Sequence, residues 1–388
     1  MSESQKPFLS YGKQWIDDED IAAVLRTLKS DYLTQGPEVE HLEEEIKKIT
    51  GARYCVAVSN ATAALHIAVS ALEIMPGLEG ITSPITFVAS ANCLPYNKLI
   101  PIFADIDDKT YCIDPSEIEK KIGPKTRVLV PVDFAGQPAD MAAIKKIADK
   151  FELKVVEDAA HAIGSYYPNG SPVGSCAFSD MTIFSFHPVK TITTGEGGII
   201  TTNDEELFNK LLLLRSHGIV RNPSQMSKNP GPWYHEMVSL GYNYRMTDIQ
   251  AALGTSQLRK LEFFKRRRKE IISQYNKAFS SLPHVRIPYE APMADSCFHL
   301  YVVRLDFNAI KKNRAEVMSE LLNNGVGTQV HYIPVPLQPF YRREYGYNEG
   351  DFPISERYYQ EALSLPLYPR MSDNDVCRVI SALATIVS

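Results

Sequence analysis

Lys190 is the side chain in this sequence best placed to act as a nucleophile. It follows the apolar run Met181–Phe186 through His187-Pro188-Val189 and precedes Thr193-Thr194-Gly195-Glu196-Gly197-Gly198. An amine at the end of a strand, beside a glycine-rich turn, stands where a bound molecule can reach it. Deprotonated lysine amines form Schiff bases with aldehydes. Upstream, Val155-Val156-Glu157-Asp158-Ala159-Ala160-His161-Ala162 contains a second apolar run, and this one ends in an acid. A lysine for the aldehyde and an acid for the ring nitrogen are what pyridoxal phosphate asks of a protein. Either residue alone has an ordinary explanation. Most lysines lie on the surface, and an aspartate in this place can cap a following helix. The two segments together carry the expectation of that cofactor.

Further residues fit the same chemistry. His161, three residues after Asp158, shares its face if a helix starts there; it then packs on the cofactor ring or is a satisfied core histidine. Ser59-Asn60-Ala61-Thr62 follows an apolar run and opens a helical pattern. Free N–H groups and small residues at a helix start make an anion site, so Asn60, Ala61 and Thr62 are candidates for a phosphate. Ser185 can add a hydroxyl to that phosphate. Phe87 either stacks on the second ring face or belongs to the core. In Gly241-Tyr242-Asn243-Tyr244-Arg245-Met246, Asn243 and Arg245 are polar among aromatics. Arg245 could hold a carboxylate or phosphate by a forked contact, or the segment is simply a turn before a helix. Tyr11, the run Asp31, Tyr32, Leu33, Thr34, and the run Gln329, Val330, His331, Tyr332 are polar–aromatic clusters to which pattern alone assigns no role.

These residues need a frame. Short apolar runs alternate with helical spacing from about residue 50 to 205. Strands are predicted at Tyr54–Val58, Ile100–Ala104, Arg127–Val132, Leu153–Glu157, Met181–Phe186 and Gly198–Thr202. Helices are predicted at Ala61–Ala71 and Asp140–Phe151. This alternation predicts an α/β domain with a mostly parallel sheet. One long charged helix is expected from Asp248 to about Phe279, capped by Thr247. Beyond it the texture changes to a small α+β domain. Its predicted parts are a strand Cys297–Leu305, a helix Arg314–Asn323, a strand Thr328–Tyr332, a loop Ile333–Phe352 and a helix from Asp373. An N-terminal arm carries a helix near Asp18–Ser30. The expected division is 1–250 for the arm and large domain and 251–388 for the long helix and small domain.

Composition sets outer bounds. The chain has 388 residues, 44% hydrophobic, with formal net charge −5, so no general field draws it to nucleic acid or an anionic membrane. No apolar run approaches the roughly 20 residues needed to span a bilayer. Met1-Ser2-Glu3-Ser4-Gln5-Lys6-Pro7 lacks a signal-peptide core. The six cysteines are scattered without a C-x-x-C pair. Free thiols in a cytoplasmic setting are expected, with no metal site.

At this point the chain resembles the DegT/DnrJ/EryC1/StrS sugar aminotransferases, which have the fold type I architecture of pyridoxal-phosphate enzymes. The resemblance runs from Leu33-Thr34-Gln35-Gly36 to Val330-His331-Tyr332. Glu157–Ala162, Phe184–Lys190, Glu196-Gly197-Gly198, Arg215-Ser216-His217-Gly218 and Gly241–Arg245 carry it. Ile192-Thr193-Thr194, Phe134-Ala135-Gly136, Gln329–Tyr332 and Pro339-Phe340-Tyr341 point to the branch acting in pseudaminic acid biosynthesis. The resemblance implies Lys190 for the Schiff base, Asp158 for the ring nitrogen, and Phe87 and His161 flanking the ring. It implies Ala61, Thr62 and Ser185 at the phosphate, joined by Asn243 of a neighbouring subunit in a homodimer with shared sites. Tyr11, Asp31 to Thr34 and Gln329 to Tyr332 would line the sugar-nucleotide site. Many members carry Gln in place of His161 and Trp in place of Phe87. One branch replaces the lysine by histidine and dehydrates its sugar; Lys190 argues against that branch. The implied reaction moves an amino group from L-glutamate to C4 of a UDP-linked 4-keto-6-deoxy-N-acetylhexosamine, UDP-2-acetamido-2,6-dideoxy-β-L-arabino-hex-4-ulose. GDP-4-keto-6-deoxymannose, a UDP-4-keto-D-xylo sugar or a dTDP-linked 3-keto or 4-keto sugar are alternatives. A non-catalytic regulator of the same fold is a more distant one, and no additional DNA-binding segment supports it.

Overall fold

The computed structural model describes residues 8–387, so Met1–Pro7, read above for its lack of a signal-peptide core, lies outside the described residues. Seven strands form the main sheet: β1 Tyr54–Val58, β2 Glu79–Thr82, β3 Ile100–Phe103, β4 Thr126–Val130, β5 Lys154–Asp158, β6 Met181–Ser185 and β7 Gly198–Thr202. Their order is β1-β7-β6-β5-β4-β2-β3. β7 runs antiparallel to both of its neighbours, β1 and β6, and the remaining pairs are parallel.

The sheet is covered on both faces, which is why its strands read as near-continuous apolar runs. Alternate residues of one strand enter different cores. Val56, Val58, Val128 and Ile183 pack with the helices Ala61–Ala71, Val88–Tyr96 and Glu205–Arg215. Cys55, Ala57, Leu129 and Phe184 pack with Leu42, Ile46 and Ile144 on the other face. A separate two-stranded antiparallel ribbon is formed by β8 Ile219–Val220 and β9 Glu236–Met237. The C-terminal part builds an antiparallel sheet from β10 Val285–Arg286, β11 Tyr301–Leu305 and β12 Ala362–Leu365. Its own core joins Ile271, Tyr275, Val303, Leu321 and Leu383. Among the described residues, no helix is long and apolar enough to cross a membrane.

Several expectations need correction. The predicted long helix is two, Asp248–Leu258 and Leu261–Phe279. At the junction the Lys260 N–H turns to Gln257 O, three residues back, and the side chains of Lys260 and Gln257 both reach Asp20 of the N-terminal helix. Tying that turn to Asp20 sets a corner where periodicity alone reads through. Thr247 is the N-cap, in a reciprocal capping box with Gln250. Thr328–Tyr332 is not a strand: Gln329 alone bridges to Ser364. His331 and Tyr332 instead spend their polar atoms on Ser364 and His161. The predicted loop Ile333–Phe352 contains a 3₁₀ turn, Val335–Leu337, and a helix, Pro339–Tyr345, started by its proline. The strand expected over Cys297–Leu305 begins only at Tyr301. β2 went unforeseen because it is four residues long and holds Gly80. A Cβ there would lie 2.3 Å from Leu94 Cδ2 and 2.9 Å from Val128 Cγ1, so the glycine lets a helix lie close on the strand.

Candidate active site

The carboxyl ends of β5 and β6, the start of the helix Ala61–Ala71 and the segment 329–333 wall one cavity of about 1020 Å³. Parallel α/β sheets bind ligands at this edge because the strand ends and helix starts open there together. Lys190 lies past the end of β6, in a turn whose Lys190 N–H donates to His187 O. Among the described residues no carboxylate is within ion-pair distance of its Nζ. Desolvation by the cavity walls, partly offset by the attraction of Asp158, brings its pKa from 10.5 down to about 8. The amine is therefore much closer to the neutral, nucleophilic form than an exposed lysine at the same pH.

Asp158 ends β5 and is 4% exposed. Its Oδ2 accepts the Ser90 hydroxyl at 2.5 Å and its Oδ1 accepts the Ala160 N–H at 3.0 Å. Burial raises its pKa, and these two bonds and Lys190 oppose the rise. No helix follows Asp158. A turn does, so helical spacing is not what brings His161 in; the turn carries it to the cavity wall. His161 Nδ1 accepts the Ala135 N–H at 3.3 Å, and its Nε2 faces the Tyr332 hydroxyl at 3.2 Å. Burial, then Lys190 and His331, hold its pKa well below the usual histidine value.

The phosphate candidates converge as well. Asn60 caps its helix, its Oδ1 taking the Ala63 N–H at 2.8 Å. The amides of Ala61 and Thr62 belong to the first turn, where a helix offers no partner. Gly198 makes that helix start accessible to β7: a Cβ there would meet the Asn60 carbonyl carbon at 2.6 Å and Ala61 N at 2.7 Å. Ser185, at the end of β6, lines the same wall. Phe87 is 58% exposed, which rules out the core reading, and its ring stands 6.3 Å from that of Tyr332. Tyr11, Gln329, Val330, His331 and Tyr332 also border the cavity. His331 bonds Ser364 through Nδ1 at 2.8 Å, and burial, then Lys190, push its pKa down to about 3.

Asp31, Tyr32, Leu33, Thr34, Asn243 and Arg245 do not border this cavity. Several have other contacts. Thr34 bridges Thr247, the Asp248 N–H donates to Leu33 O, and Asn243 bridges Ser216, whose hydroxyl receives Arg245 Nη1 at 3.0 Å. Two contributors escaped the sequence reading. Ser90 carries no signal there beyond being a serine in a helix. His299 lines the cavity with its ring 4.4 Å from that of His161, and its buried Nδ1 has no partner among the described residues. A histidine interrupting the apolar run at 297–305 was its only trace.

These residues suit pyridoxal phosphate. A desolvated amine without an ion pair, a buried carboxylate on the same cavity, and a helix start with unpartnered amides are the three fixtures its aldehyde, ring nitrogen and phosphate need. Comparison with known proteins agrees. The sequence model of the DegT/DnrJ/EryC1/StrS aminotransferase family matches residues 14–384. The spore coat polysaccharide biosynthesis protein SpsC of Bacillus subtilis is 42% identical over 388 residues, 100% of this chain and 99% of that one. The structure of Helicobacter pylori PseC, an aminotransferase involved in the biosynthesis of pseudoaminic acid, superposes with a TM-score of 0.91 at 31% identity, over 98% of this chain and 99% of that one. The PLP form of Spr1654, a putative sugar aminotransferase of Streptococcus pneumoniae, superposes with a TM-score of 0.90 at 29% identity, over 98% of each chain. The chain thus belongs to the DegT/DnrJ/EryC1/StrS aminotransferase family and is a pyridoxal-phosphate-dependent sugar aminotransferase.

Proposed function

We propose that this enzyme moves an amino group from L-glutamate to C4 of a UDP-linked 4-keto-6-deoxy-N-acetylhexosamine, for a pseudaminic-acid type or related surface glycan. The observation that supports this reading is the likeness to PseC, 31% identical over 98% of the chain, whose reaction belongs to pseudoaminic acid biosynthesis. The bound cofactor supplies an aldehyde for amines and an electron sink for the carbanion beside nitrogen. The chain's residues do the rest. Lys190 Nζ would bind the cofactor's aldehyde, and when free its neutral amine could accept and return a proton. Asp158 would face the ring nitrogen, where a protonated ring would favour its ionised form. Ala61, Thr62, Asn60 and Ser185 hold the phosphate, while Phe87 and His161 flank the ring. Tyr11, Gln329, Val330, His331 and Tyr332 contact the sugar nucleotide.

The remaining candidates act across a homodimer in this proposal. Asn243 reaches the phosphate of the partner's site, and Asp31, Tyr32, Leu33, Thr34 and Arg245 border the partner's substrate. Their absence from the lining of their own subunit's cavity supports it. So does the exposure of Tyr32 and Leu33, at 56% and 47%. We take residues 1–250 and 251–388 as the two domains. A second substrate reading, another nucleotide-linked keto sugar, draws on the 42% identity to a spore coat polysaccharide protein.

The test is turnover of purified enzyme with L-glutamate and UDP-2-acetamido-2,6-dideoxy-β-L-arabino-hex-4-ulose, with the product identified by mass and NMR. A 4-amino sugar nucleotide is expected. A cofactor that reacts with glutamate while this sugar stays unchanged would move the assignment to another keto sugar.

A further inference from the structure

The polar atoms of His161 are committed in an order that fixes which atom carries the proton. The Ala135 N–H points at Nδ1 from 3.3 Å. A backbone amide can only donate, so Nδ1 must offer its lone pair. A doubly protonated ring would set one N–H against another, so the ring is neutral with its proton on Nε2. Ala135 has little freedom to turn away. It sits at φ 58° inside the turn Phe134–Gly136, and its carbonyl accepts the His299 N–H at 2.8 Å. Left-handed backbone at a non-glycine residue persists where neighbours hold it on both sides.

The consequence falls on Tyr332. Its hydroxyl lies 3.2 Å from Nε2, and His161 is its one hydrogen-bond partner among the described residues. With the imidazole donating, the phenol oxygen accepts. Its own proton is then left over, on a side chain that borders the cavity. A hydroxyl has one donor and two lone pairs, so accepting from His161 leaves the O–H for a ligand.

We infer that the Ala135 amide fixes His161 as the Nε2–H tautomer and that His161 thereby commits Tyr332 to donate a hydrogen bond to a carbonyl or hydroxyl oxygen of the sugar. His161 is then a positioning residue that acts through Tyr332, besides any contact with the cofactor ring. The inference rests on the proposed reading for the identity of the sugar, but not for the tautomer.

Two measurements on the holoenzyme test it. The first is a long-range ¹H–¹⁵N spectrum of enzyme labelled at histidine, with His161 assigned by the signals lost in His161→Gln. A proton on Nε2 and a bare Nδ1 are expected; a proton on Nδ1, or on both nitrogens, would overturn the inference. The second compares Tyr332→Phe, His161→Phe and His161→Gln. A glutamine can accept from Ala135 through Oε1 and donate to Tyr332 through Nε2, whereas phenylalanine can do neither. Tyr332→Phe and His161→Phe should raise KM for the keto sugar about tenfold, the worth of one hydrogen bond to a buried polar group. The glutamate half-reaction should change several-fold less, and His161→Gln should recover most of the loss. An unaltered KM in Tyr332→Phe, or equal damage in His161→Gln and His161→Phe, would count against it. Failure of the wild-type enzyme to aminate the UDP-linked sugar would instead count against the substrate reading, while the spectrum still decides the tautomer.

Discussion

A lysine in water holds its proton to a pH near its ordinary value of 10.5; Lys190 releases it near 8 because the cavity walls strip its solvent. Removing a proton from nitrogen is what allows attack on an aldehyde, so the shift has a kinetic signature. For enzyme freed of cofactor, the rate of re-forming the Schiff base with added pyridoxal phosphate should rise with pH and level off above about pH 8. A lysine at its ordinary value would give a rate still climbing about tenfold per pH unit there. Stopped-flow absorbance at several pH values reads the difference, with Lys190→Ala as the control that forms no Schiff base. A profile still climbing at pH 9 would mean that the amine is not desolvated as the cavity implies. At this scale the sequence was informative in naming Lys190 and Asp158, which the fold brings to one cavity. It was silent about Ser90 and His299, whose roles come from neighbours brought together only by folding.

Elements explain which expectations survived. β1, β7 and the helix Ala61–Ala71 match their predicted bounds because their apolar periodicity and flanking turns agree with their burial. The predicted single helix from Asp248 failed because the corner at Lys260 is imposed by Asp20, about 240 residues earlier, and no local window contains that contact. The segment 329–332 failed likewise: its residues are strand-like, but His331 and Tyr332 bond to side chains instead of a ladder. Gly198 is an element boundary that lies against the proposed phosphate site. In Gly198→Ala the new methyl would press on Asn60 and Ala61 backbone at under 3 Å, so either β7 or the helix start must move. The expected cost is about 1–3 kcal/mol of stability, typical of overpacking. Because the displaced atoms include the Ala61 amide, which the proposal places at the phosphate, pyridoxal phosphate affinity should fall more than tenfold, beyond what lower stability alone would give. Cofactor titration alongside thermal melting separates the two effects. Normal affinity with a lowered melting temperature would take the helix start out of the phosphate site.

At the scale of the whole molecule, thirteen of the nineteen expected site residues border one cavity of the chain and six lie outside its lining. Lys190 and Asp158 border the cavity; Asn243, Arg245 and Asp31–Thr34 do not. The proposed homodimer would resolve the division, with a two-fold axis bringing the six residues of each subunit to its partner's cavity. The sequence could name both sets of residues through resemblance, but nothing in a linear chain says which side chains meet within a subunit and which meet across two. The arrangement makes a quantitative prediction. Lys190→Ala disables only the cavity of its own subunit, and Asn243→Ala, carried on the other chain, weakens only the cavity of its partner. In a mixed dimer the Asn243→Ala subunit keeps an intact Lys190 and receives an intact Asn243 from the Lys190→Ala subunit, so one of the two sites is whole. Random re-association of equal amounts of the two variants makes about half the dimers mixed, and activity should therefore recover to about a quarter of wild type. Differently tagged chains, refolded together and purified through both tags, should reach about half. If Asn243 acted within its own subunit, no mixed dimer would contain a whole site, and activity after mixing would stay at the average of the two parents.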